Sequence, residues 1–199
     1  MIQVRFATPD DAEDILKIYS EYILTKATTF ETEVPTLEQF RQRIKQIMIR
    51  FPWIVCRINN TLAGYTYASP FKEREAYQWS AECSVYLSHE FMNKGIGKIL
   101  YKTLFPIIKY QGIRNVFAGI ALPNDPSVHL HERLGFKPIA VYENIGYKLG
   151  QWHNVGWWKL QLNDYSTEPP PLLKFSELDP GQFLPELKRA ENFIGSINA

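Results

Sequence analysis

The feature that most constrains this chain is a pair of glycines between a strand and a helix, in the run Asn93-Lys94-Gly95-Ile96-Gly97. Residues 79–87 upstream read as a strand. Downstream, Ile96, Ile99, Leu100, Thr103, Leu104 and Ile107 share one face of a helix. Glycines let a backbone approach a ligand closely, the open amides of a first helical turn point outward, and the helix dipole favours negative charge there. Lys94 and Lys98 add positive charge beside the turn. The arrangement suits a phosphate. The plain alternative is a glycine turn before a core helix, since one GxG is a weak signal.

The other elements surround this unit. Residues 4–6 read as a short strand, and Thr8-Pro9-Asp10-Asp11 opens a helix with a cap, a first-turn proline and acids. Ile15, Ile18, Tyr19 and Tyr22 continue it at helical spacing. A second helix starts at Thr36, with Gln39 completing a capping box, carries Phe40, Ile44 and Ile47 on one stripe, and stops at Pro52. Residues 53–58 and 62–68 are strand-like runs joined by Asn59-Asn60, a tight hairpin turn. Pro106 falls inside the helix after the glycines, where it removes one backbone bond and predicts a bend. Residues 115–121 form a strand, Asp125-Pro126 opens a short helix that closes at Gly135, and residues 136–141 and 153–162 supply two last strands. The order is mixed α/β with hairpins, not a strict βαβ alternation.

We place one domain over residues 1–163. Residues 164–199 form an extension in which Pro169-Pro170-Pro171 favours a stiff linker and residues 184–194 one short helix. Lys plus Arg number 22 and Asp plus Glu 21, a net charge of +1, which gives no reason to expect nucleic acid or an anionic membrane as partner. Cys56 and Cys83 cannot make a disulfide framework, the first residues do not read as a signal peptide, and no apolar run is long enough to span a bilayer; a cytoplasmic protein is expected.

Longer motifs sharpen this reading. Trp79-Ser80-Ala81-Glu82-Cys83-Ser84-Val85-Tyr86, Gly95-Ile96-Gly97-Lys98, Leu122-Pro123-Asn124-Asp125-Pro126-Ser127-Val128, Leu130-His131-Glu132-Arg133-Leu134-Gly135-Phe136 and residues 146–158 follow one another in order. In these segments the chain resembles the phosphinothricin N-acetyltransferase branch of the GNAT superfamily. Weaker echoes lie in Thr29-Phe30-Glu31-Thr32-Glu33 and in residues 70–77, and the extension matches nothing. The resemblance implies a mostly antiparallel central sheet with flanking helices, acetyl-CoA as co-substrate, no metal, a small amine or amino-acid partner, and a homodimer. It places the cofactor pyrophosphate on the loop Asn93, Lys94, Gly95, Ile96, Gly97 and Lys98 and the pantetheine arm along Val85, Tyr86 and Leu87. Asn124 and Ser127 are also implied to touch the cofactor. Met92 stands where the family usually has Gln or Arg, which removes one side-chain contact. Turn residue and helix cap is the alternative for Asn124.

An amine must lose a proton before it attacks a thioester, so a general base is needed. Glu82 is the candidate: the family carries its proposed catalytic Glu there, and partial burial in an apolar strand raises a carboxylate pKa. By residue type alone it would be a solvated strand residue. His153 is the second candidate, set against a structural histidine. His131 stands where many GNAT enzymes place a Tyr that serves the leaving thiolate; the alternative is a surface helix residue. Phe30, Glu33, Lys72, Arg74 and Tyr77 match motifs bordering the substrate. Arg74 suits a carboxylate clamp, or is a solvated loop charge between two acids. The similar enzymes acetylate phosphinothricin, methionine sulfone or methionine sulfoximine. A non-catalytic acyl-CoA-binding module, or an enzyme for another amine, are the competing readings.

Overall fold

The computed structural model describes residues 1–197. Its strands are β1 (Ile2–Phe6), β2 (Trp53–Ile58), β3 (Thr61–Pro70), β4 (Ser80–Leu87), β5 (Asn115–Leu122), β6 (Lys137–Lys148) and β7 (Gln151–Gln161). The helices are α1 (Ala12–Thr25), α2 (Leu37–Arg50), α3 (Ile96–Tyr110), α4 (Asp125–Arg133) and α5 (Leu184–Ile197). One sheet orders the strands β1-β2-β3-β4-β5-β7-β6. Every neighbouring pair is antiparallel except β4 and β5.

Local chemistry accounts for most boundaries. Gln39 N–H donates to Thr36 Oγ1 at 3.2 Å and Thr36 N–H to Gln39 Oε1 at 2.8 Å, so the capping box closes the start of α2. Asn59 and Asn60 take φ of 49° and 66°, the left-handed pair that a two-residue hairpin requires. Thr8 precedes a 3-10 turn at Pro9–Asp11, and α1 itself begins at Ala12. There the buried Asp11 carboxylate takes Arg5 through both oxygens at 2.7 Å, Arg57 at 3.1 Å and Thr8 N–H at 2.8 Å. This one carboxylate ties β1, β2 and the start of α1. Helix α3 runs unbroken through Pro106, whose ring is exposed, so the carbonyl it leaves without a donor belongs to the solvent side.

The main departure from the expected elements is β6. Residues 136–141 were expected as a short strand, but β6 continues to Lys148 and returns through Leu149-Gly150 into β7. It lies at the sheet edge with Ile139, Val141, Ile145 and Tyr147 exposed, so no buried stripe marks its length.

The two sheet faces carry separate cores. Helices α1 and α2 cover one face, where Ile15, Tyr19, Phe40, Trp53, Tyr65 and Tyr86 pack together. Helix α3 covers the other, with Ile96, Leu100, Leu104, Val116, Ile120 and Trp158. The extension joins this second core. Phe175, Phe183, Leu187, Ala190 and Ile194 are buried in it, Trp79 Nε1 donates to Pro170 O at 2.9 Å, and Glu191 Oε1 accepts from Val4 N–H on the edge strand at 3.0 Å.

Candidate active site

The parallel pair β4–β5 is where the sheet opens. The strands are in register only at Ser80↔Asn115, Ala81↔Val116 and Glu82↔Phe117, although β4 runs on to Leu87 and β5 to Leu122. Beyond Glu82 they part. Helix α3 follows β4 and α4 follows β5, so two helix starts lie beside the carboxyl ends of the parted strands, the usual place for a ligand in a sheet with parallel strands. Gly97 is the meeting point: a Cβ there would lie 3.5 Å from Leu130, 3.7 Å from Leu87 and 3.8 Å from Val85.

The loop before α3 has the backbone its glycines suggested. Asn93 and Gly95 take φ of 60° and 76°. The helical ladder begins with Ile99 N–H donating to Gly95 O at 3.2 Å, so the amides of Ile96, Gly97 and Lys98 belong to the open first turn. Lys98 is exposed, and Lys94 Nζ stands 5.2 Å above the Phe91 ring. This turn fits a diphosphate: open amides, a positive dipole end and two lysines. Asn124 does cap α4, its Oδ1 accepting Ser127 N–H at 3.3 Å, which leaves its NH2 as the donor group. Leu87 is held on its other side, its carbonyl accepting from Tyr22 Oη at 2.7 Å.

His131 is not a surface residue. It is 4% exposed, because α4 turns it toward α3. Its Nδ1 lies 2.7 Å from Ser127 O, and a carbonyl only accepts, so Nδ1 carries the proton. Nε2 is then the acceptor for Tyr101 Oη at 3.2 Å. Burial lowers the His131 pKa, against a rise from its bond to Ser127, and so favours the neutral ring.

Glu82 lies on the opposite face of β4 from Ala81 and Cys83, on the side of α1 and α2 with Tyr86. Burial pushes its pKa up, and the charge of Lys72 opposes that rise. Aromatic rings crowd the same corner. Phe71 stacks on Phe117 at 4.2 Å, meets Trp157 edge-on at 5.7 Å and Tyr77 at 6.3 Å, and carries Lys72 Nζ over its ring at 5.3 Å. Trp157 Nε1 is buried without a hydrogen-bond partner among the described residues. Lys72, Arg74 and Tyr77 are exposed and, with Arg50, Ser80 and the acids Glu73 and Glu75, border a cleft of about 410 Å³.

His153 stands elsewhere. Phe117 pairs with Lys159 on β7, and His153 is six residues farther along that strand, about 20 Å from the level of Glu82 at ordinary strand rise. The two therefore occupy opposite ends of one face. His153 Nε2 lies 3.0 Å from Lys148 O and so donates to it. Its neighbour is Phe30, with ring centroids 6.1 Å apart. Phe30 in turn fills the space a side chain at Gly146 would need, its ring 2.7 Å from that Cβ position. Glu33 is exposed.

Glu31, not singled out from the sequence, reaches inward instead. It accepts from Tyr19 Oη at 3.0 Å and pairs with Arg43 at 2.6 Å. Lys148, which is 5% exposed, donates to Thr29 O at 2.7 Å. The signal available was the pair of acids at 31 and 33 in one motif, which does not say which of them faces inward. Arg50 was missed because it ends α2 and reads as an ordinary last-turn cation.

With this geometry in place, comparison with known proteins is direct. Residues 4–157 match the model of the Acetyltransferase (GNAT) domain, and the chain belongs to that family. Among curated proteins it is 38% identical over 170 residues to phosphinothricin N-acetyltransferase of Streptomyces viridochromogenes, covering 85% of this chain and 91% of that one. It is 27% identical to the L-methionine sulfoximine/L-methionine sulfone acetyltransferase of Salmonella typhimurium, over 82% of this chain and 96% of that one. Among solved structures, a phosphinothricin acetyltransferase from Sinorhizobium meliloti in complex with acetyl-CoA superposes with a TM-score of 0.82 at 29% identity, covering 90% of this chain and 98% of that one.

Proposed function

We propose that this acetyl-CoA-dependent N-acetyltransferase moves an acetyl group onto the amino group of a small amino-acid-like substrate of the phosphinothricin, methionine sulfone or methionine sulfoximine type. The observation that carries the reading is Glu82: a carboxylate with a raised pKa, at the point where β4 and β5 part, level with Phe117 and two residues from Ser80 at the border of a cleft that carries Arg50, Lys72 and Arg74 together with Glu73 and Glu75. The relatives named for those substrates support the substrate class.

The parts divide as follows. Bound acetyl-CoA supplies the acetyl thioester. The amides of residues 93–98, with Lys94 and Lys98, hold its pyrophosphate, Val85, Tyr86 and Leu87 lie along its arm, and Asn124 and Ser127 border it. Glu82 takes a proton from the substrate ammonium, directly or through a water, and leaves the lone pair for attack. Arg74 and Lys72 favour an anionic or zwitterionic substrate, and Trp157 Nε1 is a donor that a substrate oxygen satisfies. Tyr101 and neutral His131 form a hydrogen-bonded pair on the α3 side, and the leaving thiolate takes up the second proton that the attacking nitrogen loses as the amide forms. His153 and Phe30 border the far end of the substrate face, and Glu33 borders its entrance. A homodimer in a cytoplasmic setting belongs to the same proposal; exposed Ile139, Val141, Ile145 and Tyr147 on β6 are an apolar edge for a second copy to cover.

The test is thiol release from acetyl-CoA with phosphinothricin, methionine sulfone, methionine sulfoximine, a polyamine and a peptide N-terminus as acceptors. Turnover on the first three, reduced about 100-fold or more by Glu82→Gln with coenzyme A affinity kept, is the expected result. Turnover on the polyamine alone, or an unchanged rate in Glu82→Gln, overturns the assignment.

A further inference from the structure

The family match ends at residue 157, yet the chain continues through an ordered strap that returns to the cofactor end of the molecule. The strap leaves β7 at Gln161 and is tied at Trp79 through Pro170 O, then at Gln111, whose Nε2 donates to Leu173 O at 2.8 Å. Phe175 and Phe183 enter the core beside β1, with Phe6 rings 4.8 Å and 6.4 Å away. Helix α5 then runs over α3 and along β1, held by Leu187, Ala190 and Ile194 and by the bond from Val4 N–H to Glu191. In its last turn, Gly195 sits against Ile2, whose Cδ1 lies 3.7 Å from the glycine's Cβ position. Ile197 ends the path: its Cδ1 lies 3.8 Å from the position a Cβ would take on Gly95.

That approach falls on the residue that sets the shape of the loop. Gly95 has φ of 76° and no side chain to anchor it, so its backbone has the widest choice of other conformations. A short exposed loop without packing opens locally at little cost. Ile197, 44% exposed, brings an apolar side chain to the open side of the turn from outside the residues that match the family. We propose that the C-terminal extension is a strap that holds the coenzyme A loop in its binding conformation, with Ile197 as the positioning residue. This rests on the reading above that the loop before α3 binds the pyrophosphate. Linkage makes the coupling reciprocal: a strap that favours the bound loop is itself tightened when coenzyme A binds.

The experiment is calorimetric titration of coenzyme A into the full chain and into Ile197→Ala, Ile197→Met and Asn192→Ala, the last an exposed position on the same helix. Ile197→Ala is expected to bind about fivefold more weakly. Its KM for acetyl-CoA should rise in parallel, with kcat and the acceptor KM unchanged and the melting temperature within about 2 °C. Ile197→Met should restore affinity, and Asn192→Ala should match the unaltered chain. Hydrogen exchange should show slower amide exchange in the last turn of α5 when coenzyme A is present. If the unaltered chain binds coenzyme A and Ile197→Ala binds it equally well, the strap is refuted while the loop assignment stands. If the unaltered chain does not bind coenzyme A, the loop assignment itself has failed.

Discussion

Replacing Phe175 with alanine measures how far the extension belongs to the fold. The ring is 6% exposed, sits 4.8 Å from Phe6 at 58°, and joins the core under α3. Truncating a buried phenylalanine removes its transfer free energy and leaves a cavity, at a cost of about 3–5 kcal/mol. A domain of this size is stable by about 5–15 kcal/mol. The variant should therefore fold, but melt about 6–20 °C lower. Urea unfolding followed by circular dichroism gives the free-energy difference, and acetyl transfer well below the new midpoint shows that the remaining site is intact. A loss under about 1 kcal/mol would mean that the segment around Phe175 is an appendage and that its place in the core is wrong.

Three further outcomes follow from the charges. Burial makes the acid limb of the rate profile lie above the ordinary carboxylate range, since Glu82 must be deprotonated to act and rate rises with pH through its pKa; Lys72 opposes that shift, so Lys72→Met should move the limb to higher pH, and a limb that moves down or stays refutes the pairing. Burial also pushes Asp11 up, but bonds from Arg5, Thr8 and Arg57 outweigh it and hold the pKa at about 2 against 3.8. The folded pKa is depressed, so the carboxylate's contribution, on the order of 2 kcal/mol, is present above pH 3.8 and lost as pH falls toward 2; Asp11→Asn should abolish that slope in denaturant melts, and an unchanged slope would assign it to other groups. Arg74→Ala should raise KM for amino-acid substrates and leave KM for their amides unchanged; equal rises for both exclude a carboxylate clamp.

The sequence was most legible where one local rule decides a feature. Thr36 with Gln39, Asn59-Asn60 and the glycine turn at 95–97 each name their own geometry, and each is found. Legibility failed where no buried stripe exists, as in residues 142–148, whose exposed edge strand has nothing to pattern against. It failed too at long range. Nothing in the spacing says that residues 175–194 return to α3, because that burial depends on a partner surface far away in the chain. In the candidate site, motif order located Glu82 and the loop. That Glu82 and His153 are separated along the face depends on the pairing of β5 with β7, which one sequence does not specify.

Titrating the purified chain with acetyl-CoA and with acetyl-pantetheine, which carries the same thioester but no pyrophosphate, tests the role of the turn at the start of α3 most directly. Open amides and a helix dipole at residues 93–98 predict saturable binding of acetyl-CoA and at least about 100-fold weaker binding of the truncated ligand. Equal affinity for the two, or no binding of either, would contradict that role.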